Sequence, residues 1–228
     1  MALKMNNNIR LIGFDLDGTL VSGTEFIWST LHEYFGCDPI KRRQAAQDYH
    51  AGKISYAQWF ENDLDMLKEQ GATQKEIQKA FGRLRLSPGA KETLEALKSR
   101  GYRLGLISGS LDILLDHFLP DKPFDHVLIN RVHFDANGII TGGTPTPYDL
   151  EGKADGLKEL ARRAKVGLFE CAFVGDNYND IAVMRLAAFS VGVFLKSPLV
   201  ANVATVVIRD QDLRSILSWF PGPKTKAD

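Results

Sequence analysis

Five short runs of apolar and β-branched residues recur along the chain, at 9–14, 102–107, 171–175, 189–194 and 203–208. Stretches with helical spacing separate several of them. Runs this short and this uniformly apolar suit strands buried on both faces of a parallel sheet. Strand–helix alternation of this kind predicts an α/β fold, a doubly wound, mostly parallel sheet with a Rossmann-like core. One helix is expected to start at Ser87-Pro88, with the serine as N-cap and the proline in the first turn, and to end at Gly101; Leu94 and Leu97 lie on its buried face. Another is expected over 153–164, with Leu157, Leu160 and Ala161 on one stripe. In such sheets ligands bind beyond the carboxyl ends of the strands, so the residues that follow each run are the candidate site.

The first run ends in Phe14-Asp15-Leu16-Asp17-Gly18-Thr19-Leu20-Val21. Side chains alternate along a strand, so in regular β geometry Asp15 and Asp17 point the same way. Two crowded carboxylates repel unless a cation or a shared proton relieves them. A hard divalent cation such as Mg²⁺ takes oxygen ligands, and the pair then suits chemistry in which one carboxylate attacks while the other moves a proton. The simpler alternative is an acidic turn. The second run leads into Ser108-Gly109-Ser110, a hydroxyl and glycine-exposed amides that could cradle phosphate. Lys153 sits near a helix start, where the dipole does not favour a cation; either an anion faces it or it is a surface lysine. The third run leads into Asp176-Asn177-Tyr178-Asn179-Asp180, which supplies a further carboxylate for a metal and one to support it.

Residues 22–86 break the alternation. They contain no convincing strand and three helical signals: Trp28, Leu31 and Phe35 before Gly36; Tyr56, Trp59, Phe60, Leu64 and Leu67; and the capping-box form Thr73-Gln74-Lys75-Glu76 ahead of Ile77, Ala80 and Phe81. The expected organisation is therefore a catalytic core of 1–21 and 87–228 with a small helical cap, 22–86, inserted after the first strand. A β-hairpin is expected over 131–143, turning at Asn137-Gly138, and residues 221–228 are expected to fray. Lys+Arg and Asp+Glu both number 28, so no basic field calls for nucleic acid. Cys37 and Cys171 form neither a disulfide framework nor a metal spacing. Residues 1–8 lack the apolar stretch of a signal peptide, and no run approaches the ~20 apolar residues of a membrane span. A cytoplasmic location is expected, with no membrane partner.

In this order and spacing, D-x-D-G-T-L-V, S-G, a later lysine and G-D-x-x-N-D resemble the four motifs of the haloacid dehalogenase superfamily of phosphohydrolases. Within it the chain looks most like the phosphoserine phosphatase branch. Gly52-Lys53 in the helical segment, Gly101-Tyr102 before the second motif, Asn130-Arg131 ahead of the hairpin and Asp212-Leu213-Arg214-Ser215-Ile216-Leu217 near the end all add to that likeness, which spans about 9–219. The resemblance implies an Mg²⁺-dependent phosphatase that hydrolyses a small phosphomonoester through an aspartyl-phosphate. Asp15 would be the nucleophile, and Asp17 the acid that protonates the leaving alcohol and then the base that activates water. Mg²⁺ would be held by an Asp15 oxygen, the backbone carbonyl of Asp17 and Asp176. Ser108, the Gly109 N–H, Lys153 and Asn179 would hold the phosphoryl oxygens, with Asp180 supporting them. The partner implied is a small phosphorylated metabolite; no protein partner is predicted. Two alternatives remain: a phosphotransferase using the same aspartyl-phosphate, and a non-catalytic phosphometabolite-binding protein, against which the joint presence of Asp15, Asp17, Lys153 and Asp176 speaks.

The departures from that branch concern substrate recognition. Its phosphoserine-specific members carry a glutamate nine residues past the nucleophile for the substrate amine; here Thr24 stands there, with Glu25 next to it. They also place a cap arginine against the substrate carboxylate, and ungapped alignment from Gly52-Lys53 puts Asp63 at that position. Arg83 and Arg85 are the nearest basic replacements. Ser-Gly-Ser replaces the more usual Ser-Gly-Gly, and Asn177 replaces a glycine. Glu25 and Asp63 are thus candidate substrate contacts that suit an amine or hydroxyl better than a carboxylate.

Overall fold

The computed structural model describes residues 8–223, so the readings made for 1–7 and the fraying expected at 224–228 lie outside the described residues. Seven strands form the main sheet: β1 (Leu11–Phe14), β4 (Arg103–Leu111), β5 (His126–Phe134), β6 (Ile140–Thr144), β7 (Cys171–Gly175), β8 (Phe189–Gly192) and β9 (Val206–Val207). Their order is β6-β5-β4-β1-β7-β8-β9. Every neighbouring pair is parallel except β5 and β6, which run antiparallel. This is the mostly parallel α/β sheet expected from the alternation of apolar runs.

Alternate residues of the central strands serve opposite faces. Leu11, Cys171 and Phe173 pack with Leu157, Leu160 and Ala161 of α7 (Lys153–Ala164) and with Val183 and Met184 of α8 (Ile181–Leu186). Ile12, Phe14, Ala172 and Val174 pack on the other face with Leu94 and Leu97 of α5 (Ala90–Ser99) and with Ile216 and Phe220. Both faces of β1 and β7 are covered, which is why those strands read as unbroken apolar runs. α6 (Asp112–Phe118) follows β4.

Several local expectations need correction. Ser87 does not cap α5: its hydroxyl has no hydrogen-bond partner, and Gly89 at φ +75° turns the chain so that the helix begins only at Ala90. The hairpin turns where expected, but its first strand starts earlier. His126 to Ile129 pair in parallel with β4 before the same strand pairs with β6. Residues 22–86 hold four α-helices: α1 (Ile27–Phe35), α2 (Pro39–His50), α3 (Tyr56–Glu69) and α4 (Gln74–Ala80). α2 escapes sequence reading because it is polar nearly all round, with Ala45 as its one buried residue. A short antiparallel ribbon, β2 (Val21–Ser22) with β3 (Arg85–Leu86), joins the two ends of this insert.

Candidate active site

β1, β4 and β7 are adjacent, and the three polar motifs lie at their carboxyl ends. Asp15 leaves the end of β1 with its N–H bonded to the Val174 carbonyl of β7 (3.1 Å). On its other side Ser108 of β4 donates to Asp15 Oδ1 (3.0 Å), and Lys153 Nζ, from the first residue of α7, donates to the same oxygen (2.7 Å). No hydrogen bond among the described residues reaches Asp15 Oδ2. Lys153 is fully buried and also donates to Asp180 Oδ1 (2.8 Å). Its place at a helix start is therefore explained by two buried anions and not by solvent. Asp180 Oδ2 accepts the N–H groups of Asp176 and Asn177 (2.9 and 3.2 Å), which shapes the loop after β7. Asn179, from that loop, is buried with an unpartnered Oδ1 and lines a cleft of ≈ 460 Å³ between the insert and the core.

β4 does not stop before Ser108-Gly109-Ser110, as sequence suggests, but runs through it with a shift of register against β5. Ser110 therefore points the same way as Ser108 and donates to Asp17 Oδ1 (2.7 Å). Two serines two residues apart thus match two aspartates two residues apart. Asp17 Oδ2 accepts the N–H of Ile27 (2.7 Å), the first residue of α1. The N-cap residue of that helix, Phe26, has no side chain able to do this, so Asp17 caps it.

Burial dominates the acid–base properties. It pushes Asp15 up to about 7 against the pull of Lys153, and Asp17 up to about 6 against the bonds from Ile27 and Ser110. Asp176 rises to about 9 through burial and through repulsion by Asp15 and Asp180. Burial opposes the charge on Lys153, but Asp15, Asp180 and Asp149 outweigh it and hold the ammonium above the ordinary lysine range. The three raised carboxyls bind protons more tightly folded than unfolded, so their contribution to stability is complete below about pH 4 and is lost as pH rises through 6, 7 and 9. The melting temperature in chelator is expected to fall between pH 5 and pH 9. A melting temperature that climbs across that interval in thermal denaturation contradicts these shifts.

Asp15, Asp176 and Asp180 present oxygens within 4.8 Å of one another. The Asp180 oxygens already accept Lys153 and two backbone amides, whereas Asp176 Oδ2 is buried without a partner and Asp15 Oδ2 is unbonded. An orphaned buried carboxylate oxygen beside a second acid, with only oxygen donors around it, fits a hard divalent cation. Thr19 Oγ1 donates to Asp176 Oδ1 (2.7 Å) and orients it. Gly18, at φ +81°, lies so close that a Cβ there would run into the Asp176 carboxylate. Gly18→Ala is expected to lose at least about 1 kcal/mol to the left-handed backbone alone, and in addition to weaken cation binding by displacing Asp176. A cation titration followed by thermal shift checks this; wild-type cation affinity in the variant refutes it.

Of the residues proposed to touch substrate, Asp63 and Glu25 part company. Asp63 is buried on α3 and lines a cavity of ≈ 20 Å³ with Trp28, Tyr56, Trp59, Phe60 and Asp149. Glu25 is exposed, accepts from Asn177 Nδ2 (3.0 Å) and is not part of that wall. Thr24 is buried and bonded to Thr30. Arg83 and Arg85 are exposed, and Arg85 is spent on the carbonyls of Gly82 and Leu84, so neither replaces an arginine at the Asp63 position. Sequence reading missed Ser110, Thr19, Tyr56, Asn130 and Asp149 as parts of the site. Trp28 Nε1 and Asn130 Nδ2 both donate to the Gly109 carbonyl (3.1 and 2.8 Å), Asn130 also donates to the Tyr56 hydroxyl (2.9 Å), and Tyr56 donates to Asp149 (3.1 Å). The Asp149 carboxylate lies against Gly109 where a Cβ would stand. The spacing of Ser108 and Ser110, equal to that of Asp15 and Asp17, was the one signal available for Ser110.

Comparison with known proteins agrees with this arrangement. The haloacid dehalogenase-like hydrolase family matches residues 12–185, and a second haloacid dehalogenase-like hydrolase family matches residues 151–220. The chain is 28% identical over 223 residues to the phosphoserine phosphatase of Methanocaldococcus jannaschii, covering 95% of this chain and all of that one. It is 29% identical over 211 residues to the phosphoserine phosphatase of Lactococcus lactis, covering 92% of this chain and 94% of that one. Among solved structures, a phospho-aspartyl intermediate analogue of phosphoserine phosphatase superposes with a TM-score of 0.72 at 25% identity, covering 92% of this chain and 98% of that one. A matched family spanning most of the chain, and relatives matched from end to end, make this chain a member of the haloacid dehalogenase-like hydrolase family, on its phosphoserine phosphatase-like branch.

Proposed function

We propose that this protein is a Mg²⁺-dependent phosphatase that hydrolyses a small phosphomonoester through an aspartyl-phosphate on Asp15. What carries the reading is the buried Asp15 carboxylate, bracketed by Ser108 and Lys153 with Oδ2 left unbonded, and Asp17 two residues away. A carboxylate oxygen of Asp15 attacks phosphorus as the ester P–O bond breaks, and Asp17 gives its proton to the leaving oxygen. Asp17, now a carboxylate held by Ser110 and the Ile27 N–H, takes a proton from water. That water attacks phosphorus, the bond to Asp15 breaks, and inorganic phosphate leaves. Lys153, Ser108 and Asn179 offset charge on the phosphoryl oxygens, which matters because a carboxylate approaching a phosphate meets like-charge repulsion. Asp15, the Asp17 carbonyl and Asp176 would hold Mg²⁺, which when bound would further neutralise that charge. Residues 22–86 act as a cap over 1–21 and 87–228, and exclude bulk water from the phosphorus.

A small phosphorylated metabolite is the partner in this reading. Its cytoplasmic setting is supported by the free Cys37 and Cys171; among the described residues no helix is long and apolar enough to cross a membrane. Release of p-nitrophenol from p-nitrophenyl phosphate tests the reaction. Activity is expected to vanish in EDTA and to return with excess Mg²⁺, because every candidate ligand atom is an oxygen. Undiminished turnover in chelator, or recovery with Zn²⁺ but not with Mg²⁺, overturns the ligand assignment.

A further inference from the structure

The ≈ 20 Å³ cavity beside Asp63 has room for about one water-sized group. It adjoins the phosphate loop: Trp28 bonds the Gly109 carbonyl, and the Asp149 carboxylate packs on Gly109 itself. Two of its six walls are therefore carboxylates and the other four are aromatic rings, with Trp28 and Phe60 edge-to-face at 5.5 Å and Tyr56 and Trp59 at 6.3 Å. Asp63 is 4% exposed, and its Oδ1 has no hydrogen-bond partner.

Among the described residues no lysine or arginine is hydrogen-bonded to that carboxylate, and the distant pull of Arg42 does not offset burial, which pushes Asp63 up to about 7. His32 Nε2 lies 3.7 Å from Asp63 Oδ1 but bonds the Asp63 backbone carbonyl, and burial holds the imidazole neutral by lowering it to about 4. Arg42 is bonded to Ser29, and Arg83 and Arg85 face solvent. A buried unpaired carboxylate is costly unless a ligand pairs with it, and aromatic faces attract cations.

Resting on the phosphatase reading, we propose that the substrate is the phosphate ester of a short amino alcohol, with its primary ammonium seated between Asp63 and Asp149 and with no carboxylate. Charge excludes a carboxylate from this cavity. Size separates a primary ammonium, which is as small as water, from a trimethylammonium, which is not. A hydroxyl is the competing group, since it can donate to Asp63 and accept from the unpartnered Nε1 of Trp59. Two facing acids, neither of them hydrogen-bonded to a lysine or arginine among the described residues, favour the charged donor over the neutral one.

Steady-state kinetics with Mg²⁺ on the wild-type protein decide the matter, comparing O-phosphoethanolamine with 2-hydroxyethyl phosphate, phosphocholine and L-phosphoserine. The kcat/KM for O-phosphoethanolamine is expected to exceed each of the others by about tenfold or more, the scale of one charge-assisted contact. Asp63→Asn, close in shape and relieved of a buried charge, is expected to erase most of the preference over 2-hydroxyethyl phosphate. Equal or better turnover of any of the three competitors by the wild type overturns the proposal, as does a preference that survives Asp63→Asn. p-Nitrophenyl phosphate carries no ammonium, so a wild-type protein that fails to hydrolyse it instead overturns the phosphatase reading beneath.

Discussion

Asp15→Asn is expected to lower phosphatase turnover by roughly 10⁴–10⁶-fold, the scale on which losing a covalent nucleophile falls. The amide keeps the size of the carboxylate and can still accept from Ser108 and Lys153 through its oxygen. It cannot attack phosphorus, and it no longer offers an anionic oxygen beside the orphaned Asp176 Oδ2. Folding should survive the change. Asp15 is a buried acid raised to about 7, so above that pH the neutral amide removes a charge that burial disfavours. The melting temperature at pH 8 in chelator is thus expected to equal or exceed that of the wild type. Retention of near-wild-type turnover, confirmed on protein whose mass excludes deamidation, sinks the assignment of Asp15 as nucleophile.

Lys153→Met is expected to damage both stability and chemistry. The ammonium is fully buried between Asp15 and Asp180, and no other lysine or arginine among the described residues is hydrogen-bonded to either. Removing one partner of a buried ionic cluster costs about 3–5 kcal/mol, because the remaining charges stay behind unpaired. For a chain of this size that is a fall in melting temperature on the order of 10 °C. The loss should shrink at pH 5, where the carboxyls take up protons. Turnover should fall by about 10²–10³-fold, as when one donor to a developing anion is removed. A variant that melts with the wild type at pH 8 contradicts the buried triad.

Why the sheet could be read from sequence while parts of the insert could not follows from how each buries apolar area. β1 and β7 are covered on both faces, and their runs are visible without any neighbour. His126 to Ile129 is covered less uniformly, with His126 and Val127 half-buried, so its entry into the sheet is decided by pairing with β4. α2 buries a single residue, and its position is set by tertiary contact with α3, which no periodicity records. Two-residue strands such as β2 and β3 carry no pattern at all. Within the site, the acids announced themselves because a buried motif at a strand end is chemically conspicuous. Asp149 and Tyr56 did not, because an isolated aspartate and an aromatic at helical spacing acquire meaning only when the chain brings them together at Gly109.

The ribbon of β2 and β3 bears on how enzymes of this architecture change across lineages. Val21 faces Leu86 and Ser22 faces Arg85, so the insert departs and returns at points about 5 Å apart. A segment with such closely spaced ends can be exchanged without moving the ends of the sheet strands, provided that its contacts with β4 and β6 are remade. On the phosphatase reading, the reacting acids and Asp149 would come from one parent and the Asp63 side of the small cavity from the other. Specific obligations cross the boundary: the newcomer must offer an amide to Asp17 where Ile27 does, a donor to the Gly109 carbonyl where Trp28 does, and partners for Asn130, Asp149 and Asn177 where Tyr56 and Glu25 stand. Selectivity can therefore change while the reacting acids stay in place.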